Sequence, residues 1–351
     1  MPVLQLHPSR RCNLACLHCY SSSGPDVREE LAIDLLRACL DDAFAAGYRQ
    51  LAVSGGEPLL YGDLPALLAH ARQLGMLTTV TTNGMLATGR RWEPVAPFID
   101  YVAVSIDGRP AEHDAIRGQR GAFDKTVNHL AVIRASSVPF GIIFTLTQHN
   151  VDNLEFVVRL AAREGARAVQ VHPLTMDGRA IAALPEARPD ALELIVALVE
   201  ARRLGEALGV PVHVDAVTAE QLVRYRSRFV PSRPVTTLTD VAPILIVQSD
   251  GDVMPLTHGL DGRFALGSLG EARLTALAGR WLATGRADEL AQLCSRTWDE
   301  LTATAESAPS EPAIYWYEEV AKLSRAVPIE LPVAWHNRLP RRTEGSLRIG
   351  P

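Results

Sequence analysis

The order of predicted elements points to an α/β fold: a parallel sheet curved into a barrel or partial barrel. Two observations carry this. Short β-rich runs alternate with longer helical patterns over roughly the first half of the chain. The segments "SGGEP", "TTNG", "SIDG" and "TQHN" each close one of those runs. A barrel of parallel strands carries its active-site loops at the carboxyl ends of its strands, and those are the places these signals occupy.

The elements follow in order. "VLQLH" is apolar with partial alternation and ends just before a cysteine-rich loop. "EELAIDLLRACLDDAFAAG" has apolar residues at helical spacing and stops at Gly47. "QLAVSGGEP" is a strand entering a glycine-rich turn, and "DLPALLAHARQLG" is a helix with Asp63 as its expected N-cap and Gly75 as its stop. "LTTVTTNG", "YVAVSIDG", "FGIIFTLTQHN" and "AVQVHPL" continue the strands, giving six in all, with "VDNLEFVVRLAAREG" the clearest helix between them. A long helix is expected from about Asp190 to Leu208. "APILIVQSDGDVMPL" then predicts a β-hairpin turning at Asp250–Gly251. Further helical patterns follow, and a Pro- and Arg-rich tail is expected to be poorly ordered at its end. The expected units are residues 1–235, 236–330 and a tail 331–351.

Composition bounds the function. The chain has 351 residues, 47% apolar and 21% charged, enough for a sizeable core. A net charge of −5 without a long basic run speaks against nucleic acid held by bulk electrostatics. No apolar run reaches the ~18–20 residues of a membrane span. The start "MPVLQLHPSRRC" has no basic segment followed by an apolar core, so a cytoplasmic setting is expected.

Three of the five cysteines sit in "CNLACLHCY", as Cys12, Cys16 and Cys19 spaced C-x3-C-x2-C. In a long chain this is not a disulfide framework, and the cluster reads as metal-binding or redox-active. A structural zinc site wants four ligands, and His18 adjoins Cys19 too closely to share a tetrahedron with it readily. Three thiolates without a fourth suit an iron–sulfur cubane with one iron left open. Cys39 and Cys294 fall in helical apolar patterns and read as small buried hydrophobes. "YWYEE", at Tyr315–Glu319, reads as core or interface, and His7, His113, His149 and His172 as turn or strand-end residues.

"CNLACLHC" after a first strand, together with "SGGEPLL", resembles the radical S-adenosylmethionine (radical SAM) superfamily. "VSIDG", "HDAIRG" and "FDKTVNHL" resemble its peptide- and protein-modifying subgroup, whose C-terminal extension is of the SPASM or twitch type. The resemblance covers the first ~230 residues. It implies an incomplete (β/α)6 barrel of TIM-like type followed by a hairpin-plus-helices extension. It further implies one [4Fe-4S] cluster on Cys12, Cys16 and Cys19, with S-adenosylmethionine on the open iron. Gly55, Gly56, Glu57 and Pro58 would hold the methionine amino group, with Thr82 and Asn83 lining the same end. Ser105 and Asp107 would lie near the ribose or carboxylate, and Arg117 would pair with the carboxylate, for which its planar fork is suited. Thr145, Asn150, His172 and Leu174 are weaker candidates for ribose and adenine contacts.

The chemistry implied is reductive cleavage of S-adenosylmethionine and hydrogen abstraction from a substrate, expected to be a ribosomal peptide or protein; the alternative is a small metabolite in natural-product or cofactor biosynthesis. An electron donor such as flavodoxin or ferredoxin is implied. The catalytic substrate-side residues are not assigned. The chain departs from the pattern where an auxiliary-cluster cysteine is expected, since Pro255 is followed by Leu256 and Thr257. Cys294 alone cannot hold an auxiliary cluster, so the scaffold is expected to be kept and the clusters lost. The chain opens at its first strand, so a separate protein or the C-terminal region is expected to recognise any precursor peptide.

Overall fold

A computed structural model describes residues 1–232, 234–307 and 313–326 of the chain. The expected tail, 331–351, lies outside the described residues.

Ten strands form one sheet: β1 Val3–Leu6, β2 Gln50–Val53, β3 Leu77–Thr82, β4 Tyr101–Ser105, β5 Phe140–Leu146, β6 Val169–Pro173, β7 Val212–Val214, β8 Ile244–Val247, β9 Asp252–Pro255 and β10 Gly267–Ser268. Their order is β10-β9-β8-β1-β2-β3-β4-β5-β6-β7. From β1 to β7 each strand pairs in parallel with the next. β8 pairs in parallel with β1, Val3 opposite Ile244, while β9 and β10 are antiparallel.

Period-two alternation assigns the two faces of each strand. Leu4, Leu6, Leu51 and Val53 are fully or almost fully buried toward the helical layer. Their neighbours Gln5 and Ala52, with Thr81, Ile143, Ile244 and Ile246, line a central cavity instead. The helices Ile33–Ala45, Leu64–Gln73, Ala122–Ala135, Leu154–Glu164 and Ala191–Leu208 pack the outer face. The last begins with a reciprocal cap: Asp190 accepts from the amides of Leu192 (2.7 Å) and Glu193 (3.2 Å), while Glu193 accepts from that of Asp190 (2.7 Å). It ends at Gly209, whose φ of +68° is the left-handed conformation glycine adopts at low cost.

Three details refine these expectations. Asp63 occupies the N-cap position of Leu64–Gln73, yet its side chain makes no capping bond. Its backbone (φ −90°, ψ 10°) is not the extended one that places a carboxylate over the first amides. A seventh parallel strand, β7, follows the expected six; at three residues it is too short to give a periodic signal. The hairpin β8–β9 continues the barrel sheet, because β8 adds to the free edge of β1. The expected turn is present, with Gly251 at φ +93°.

The later helices, Leu274–Ala283, Arg286–Ser307 and Trp316–Ala326, follow the hairpin. Among the links that tie this part to the barrel, two are polar contacts to its helices and strands. Arg273 donates to the Asp42 carboxylate at 2.9 and 2.6 Å. Ile314 and Val217 exchange backbone hydrogen bonds of 2.7 and 2.9 Å, which brings the start of the last helix to the end of β7. Among the described residues, no helix is long and apolar enough to cross a membrane.

Candidate active site

The loops at the carboxyl ends of the strands surround a cavity of about 450 Å³. Cys12, Cys16 and Cys19 all line it and are free thiols. Burial, then the nearby Glu57, push the Cys12 thiol up to about 12. Burial also raises Cys16, against the guanidinium of Arg117, whose Nη1 is 3.9 Å from the sulfur. Loading a metal group here therefore releases protons, since thiolates are the ligating species.

The glycine pair of "SGGEP" sets this loop's position. Gly56 and Glu57 donate backbone hydrogen bonds to the carbonyls of Ser9 and Arg11, each at 2.9 Å, the residues leading into Cys12. The contact is so close that a Cβ on Gly56 would lie 2.2 Å from the Arg11 carbonyl oxygen. Gly55 adopts φ +99°, and a Cβ there would meet the Ser9 oxygen at 2.8 Å. These glycines therefore serve backbone approach as well as turn geometry.

On the opposite side, the segment after β6 grips the same loop. Arg179 donates from Nη1 to the Cys16 carbonyl and from Nη2 to the Ser23 carbonyl, both at 2.7 Å. Its backbone amide donates to the Cys19 carbonyl at 2.9 Å. A Cβ on Gly178 would lie 2.1 Å from the Tyr20 carbonyl oxygen, so that position too is packed backbone against backbone.

Among the residues predicted from sequence, Gly55, Gly56, Thr82, Asn83, Ser105, Arg117, Thr145, His172 and Leu174 line the cavity. Glu57, Pro58 and Asp107 are buried behind its wall. The Glu57 carboxylate accepts from Thr82 Oγ1 (2.7 Å), Asn83 N (2.9 Å) and Leu59 N (3.1 Å), which joins the β2 and β3 loops. Burial pushes its carboxyl upward against those donors. Asp107 accepts from Arg117 Nε at 2.6 Å and from the Thr145 amide at 3.0 Å. Although burial raises it, the Arg117 guanidinium outweighs that and holds the Asp107 carboxyl at about 2. Arg117 is thus an oriented buried cation with its Nε engaged. Asn150 is also buried, donating to the Asp107 and Thr145 carbonyls at 3.3 and 2.9 Å.

Other lining residues escaped the sequence reading. Tyr315 and Tyr317, expected in core or interface, line the cavity because the Val217–Ile314 pairing turns them toward it. Asp215 follows the unpredicted β7, and Asp177 and His258 lie in loops without a recognisable signature. Cys39 and Cys294 are buried at 2% and 1% exposure and outside the lining.

Residues 6–161 match the family model described as the radical SAM superfamily. The chain is 33% identical over 180 residues to an Fe-coproporphyrin III synthase of Methanosarcina barkeri, covering 51% of this chain and 45% of that one. It is 32% identical over 225 residues to a PqqA peptide cyclase of Xanthomonas campestris pv. campestris, covering 62% and 59%. The chain thus spans about half the length of the curated relatives it matches. The solved structure of anSMEcpe with bound AdoMet superposes with a TM-score of 0.63 over 93% of this chain and 94% of that one, at 18% identity, a likeness of fold. The likeness to the radical SAM superfamily lies in residues 6–161.

That superfamily implies a [4Fe-4S] cluster and S-adenosylmethionine, and the residues present fit both. Three soft donors face one cavity, with no fourth cysteine among the lining residues. No three His, Cys, Asp or Glu side chains among the described residues converge on a single ion. A cubane does not require this, because each thiolate takes a different iron. His18 Nδ1 is buried without a hydrogen-bond partner. Burial pulls that imidazole down to about 4, so it enters as a neutral ring beside the group.

Proposed function

We propose that this chain is a radical SAM enzyme that takes a hydrogen atom from a carbon of a ribosomal peptide or protein. The observation that carries the reading is the lining of one cavity by three free thiols whose loop is clamped by the "GGE" backbone and by Arg179. Cys12, Cys16 and Cys19 would hold the cluster. Gly55, Gly56, Thr82, Asn83, Ser105 and Arg117, which line the cavity, would bind S-adenosylmethionine, with Thr145, His172 and Leu174 further along the wall. Once bound, the pair supplies reductive cleavage of the sulfonium and hydrogen-atom abstraction.

The chain's own residues do the rest. Glu57 and Asp107 position their neighbours, and Arg117 would offer the methionine carboxylate a cation. The match to the peptide cyclase reaches further along this chain than the match to the porphyrin synthase, 62% against 51%, which favours a peptide over a small metabolite. A flavodoxin or ferredoxin in a reducing cytoplasm, and a separate peptide-recognition protein, complete the reading.

The test is anaerobic reconstitution with iron and sulfide, followed by dithionite and S-adenosylmethionine. About four irons per chain and 5′-deoxyadenosine formation, lost in Cys16→Ala, are expected for one three-cysteine cluster. About eight irons would restore an auxiliary cluster, and zinc without cleavage would remove the enzyme reading.

A further inference from the structure

The cavity has a further stretch of wall with its own chemistry. It is built from His172 at the end of β6, Asp177 in the following loop, Asp215 after β7, and Tyr315 and Tyr317 at the start of the last helix. His172 Nδ1 pairs with Asp215, and Gln170 also donates to that carboxylate. Burial pulls the imidazole down and Asp215 outweighs it, so the net shift is upward. The pair is close to self-compensating.

Asp177 is not compensated in this way. Among the described residues its carboxylate has no hydrogen-bond or ion-pair partner; only its carbonyl is engaged, by the Ala180 amide at 3.3 Å. Arg325 and Asp177 flank Gly259, yet Arg325 and the other arginines of this region are engaged elsewhere. Arg325 donates to the Gly259 carbonyl at 2.7 Å and lies 3.9 Å from Glu318. Arg188 lies 3.9 Å from Glu318 and 3.6 Å from Glu319. Arg179, two residues on, points to the cysteine loop. Neither Arg325 nor Arg188 lines the cavity.

The tyrosines complete the wall. Both are half-buried, line the cavity, and have hydroxyls without a partner among the described residues. Burial first, then Asp215, push Tyr317 up to about 12, and burial moves Tyr315 in the same direction. Both therefore remain neutral phenols with intact aromatic faces. These groups face the cavity with their hydrogen-bonding capacity unused by the protein, so a ligand in the cavity can take it up. Two carboxylates repel an anion, whereas carboxylate and aromatic faces together suit an ammonium or guanidinium.

We propose that this wall binds a cationic group of the substrate, a lysine or arginine side chain or a primary amine, with Asp177 as its counter-ion and Tyr315 and Tyr317 as its aromatic walls. This rests on reading the cavity as the radical SAM active site and names the substrate class for it.

The experiment titrates the reconstituted full chain, without oxygen and with S-adenosylmethionine, using four capped tripeptides: acetyl-Gly-X-Gly-amide with X lysine, arginine, norleucine or glutamate. Calorimetry is expected to show lysine or arginine bound about tenfold or more tighter than norleucine or glutamate, with that preference lost in Asp177→Asn and reduced in Tyr315→Phe. Thermal unfolding of each variant separates a lost site from a lost fold. Equal binding of all four probes, a preference for glutamate, or an unchanged preference in a folded Asp177→Asn overturns the inference. If 5′-deoxyadenosine still forms in that case, the enzyme reading stands without it. If no cluster assembles, the enzyme reading fails, and titration of the iron-free chain reports on the wall alone.

Discussion

Arg179 donates a 2.7 Å hydrogen bond to the carbonyl of Cys16, across 163 positions of sequence. A second to Ser23 and a backbone bond to Cys19 make this one residue the brace between the loop after β6 and the cysteine loop. It acts through the main chain and so leaves the sulfurs free.

A brace of this kind holds ligands in place without touching the group they bind. Removing such a partner commonly weakens metal retention about 10–100-fold. Arg179→Ala is accordingly expected to lose its cluster to a chelator faster by a factor in that range, read from the decay of visible absorbance. Arg179→Lys, which keeps the charge but not the fork, should fall between. Equal decay rates in all three proteins would show that the loop needs no brace.

The glycine pair makes a sharper prediction. A Cβ on Gly56 would sit 2.2 Å from a backbone oxygen, with no flexible side chain to yield. Gly56→Ala should cost about 1–3 kcal/mol in urea unfolding of the metal-free chain, as overpacking of a tight contact does. Gly62 has nothing within 4 Å of the same position. Gly62→Ala should stay within about 0.5 kcal/mol of the parent. Similar values for the two would show that the loop shifts to accommodate the methyl.

Much of this was legible in the sequence because it depends on local pattern. Alternation in "VLQL" and "QLAV", with turn residues closing each run, marks both the strands and the end of the barrel that carries the site. The cysteine spacing points to its chemistry. The wall that carries Tyr315 and Tyr317 was not legible, for a physical reason. Tyr315 and Tyr317 reach the cavity only through the pairing of Ile314 with Val217, nearly a hundred residues away, and β7 is too short to have a period. The partners of Glu57 were hidden for a related reason: sequence marks an acid beside the site, but not the three donors that meet its carboxylate.

Those three donors predict the behaviour of Glu57→Gln. The amide keeps one acceptor oxygen but turns an NH2 toward donors, and at least one of Thr82 Oγ1, Asn83 N and Leu59 N loses its partner. A buried donor left unsatisfied costs about 1–3 kcal/mol. The variant should unfold at correspondingly lower urea, and its affinity for S-adenosylmethionine, measured by calorimetry, should fall because Thr82 and Asn83 line the cavity. Parent-like stability with lost affinity would instead give Glu57 a direct ligand contact.

The tie between barrel and extension gives a pH prediction. Asp42 is almost buried, and burial pushes its carboxyl up, but the hydrogen bonds from Arg273 and Thr275 outweigh this and hold it below its ordinary value. A carboxyl depressed in the folded state binds fewer protons there than in the unfolded chain. Its contribution is therefore complete above the unfolded value of about 3.9 and is lost as pH falls through the folded value. At neutral pH Asp42→Ala should destabilise by about 1–3 kcal/mol, since a charge-assisted hydrogen bond to a sheltered carboxylate is removed. Between pH 7 and 5 the difference from the parent should stay constant, and below about pH 4 it should shrink. A cycle with Arg273→Ala, run by urea unfolding at each pH, isolates the pair from the other acids of the chain. A coupling that does not change down to pH 3 would mean that Asp42 acts through packing and not through its charge.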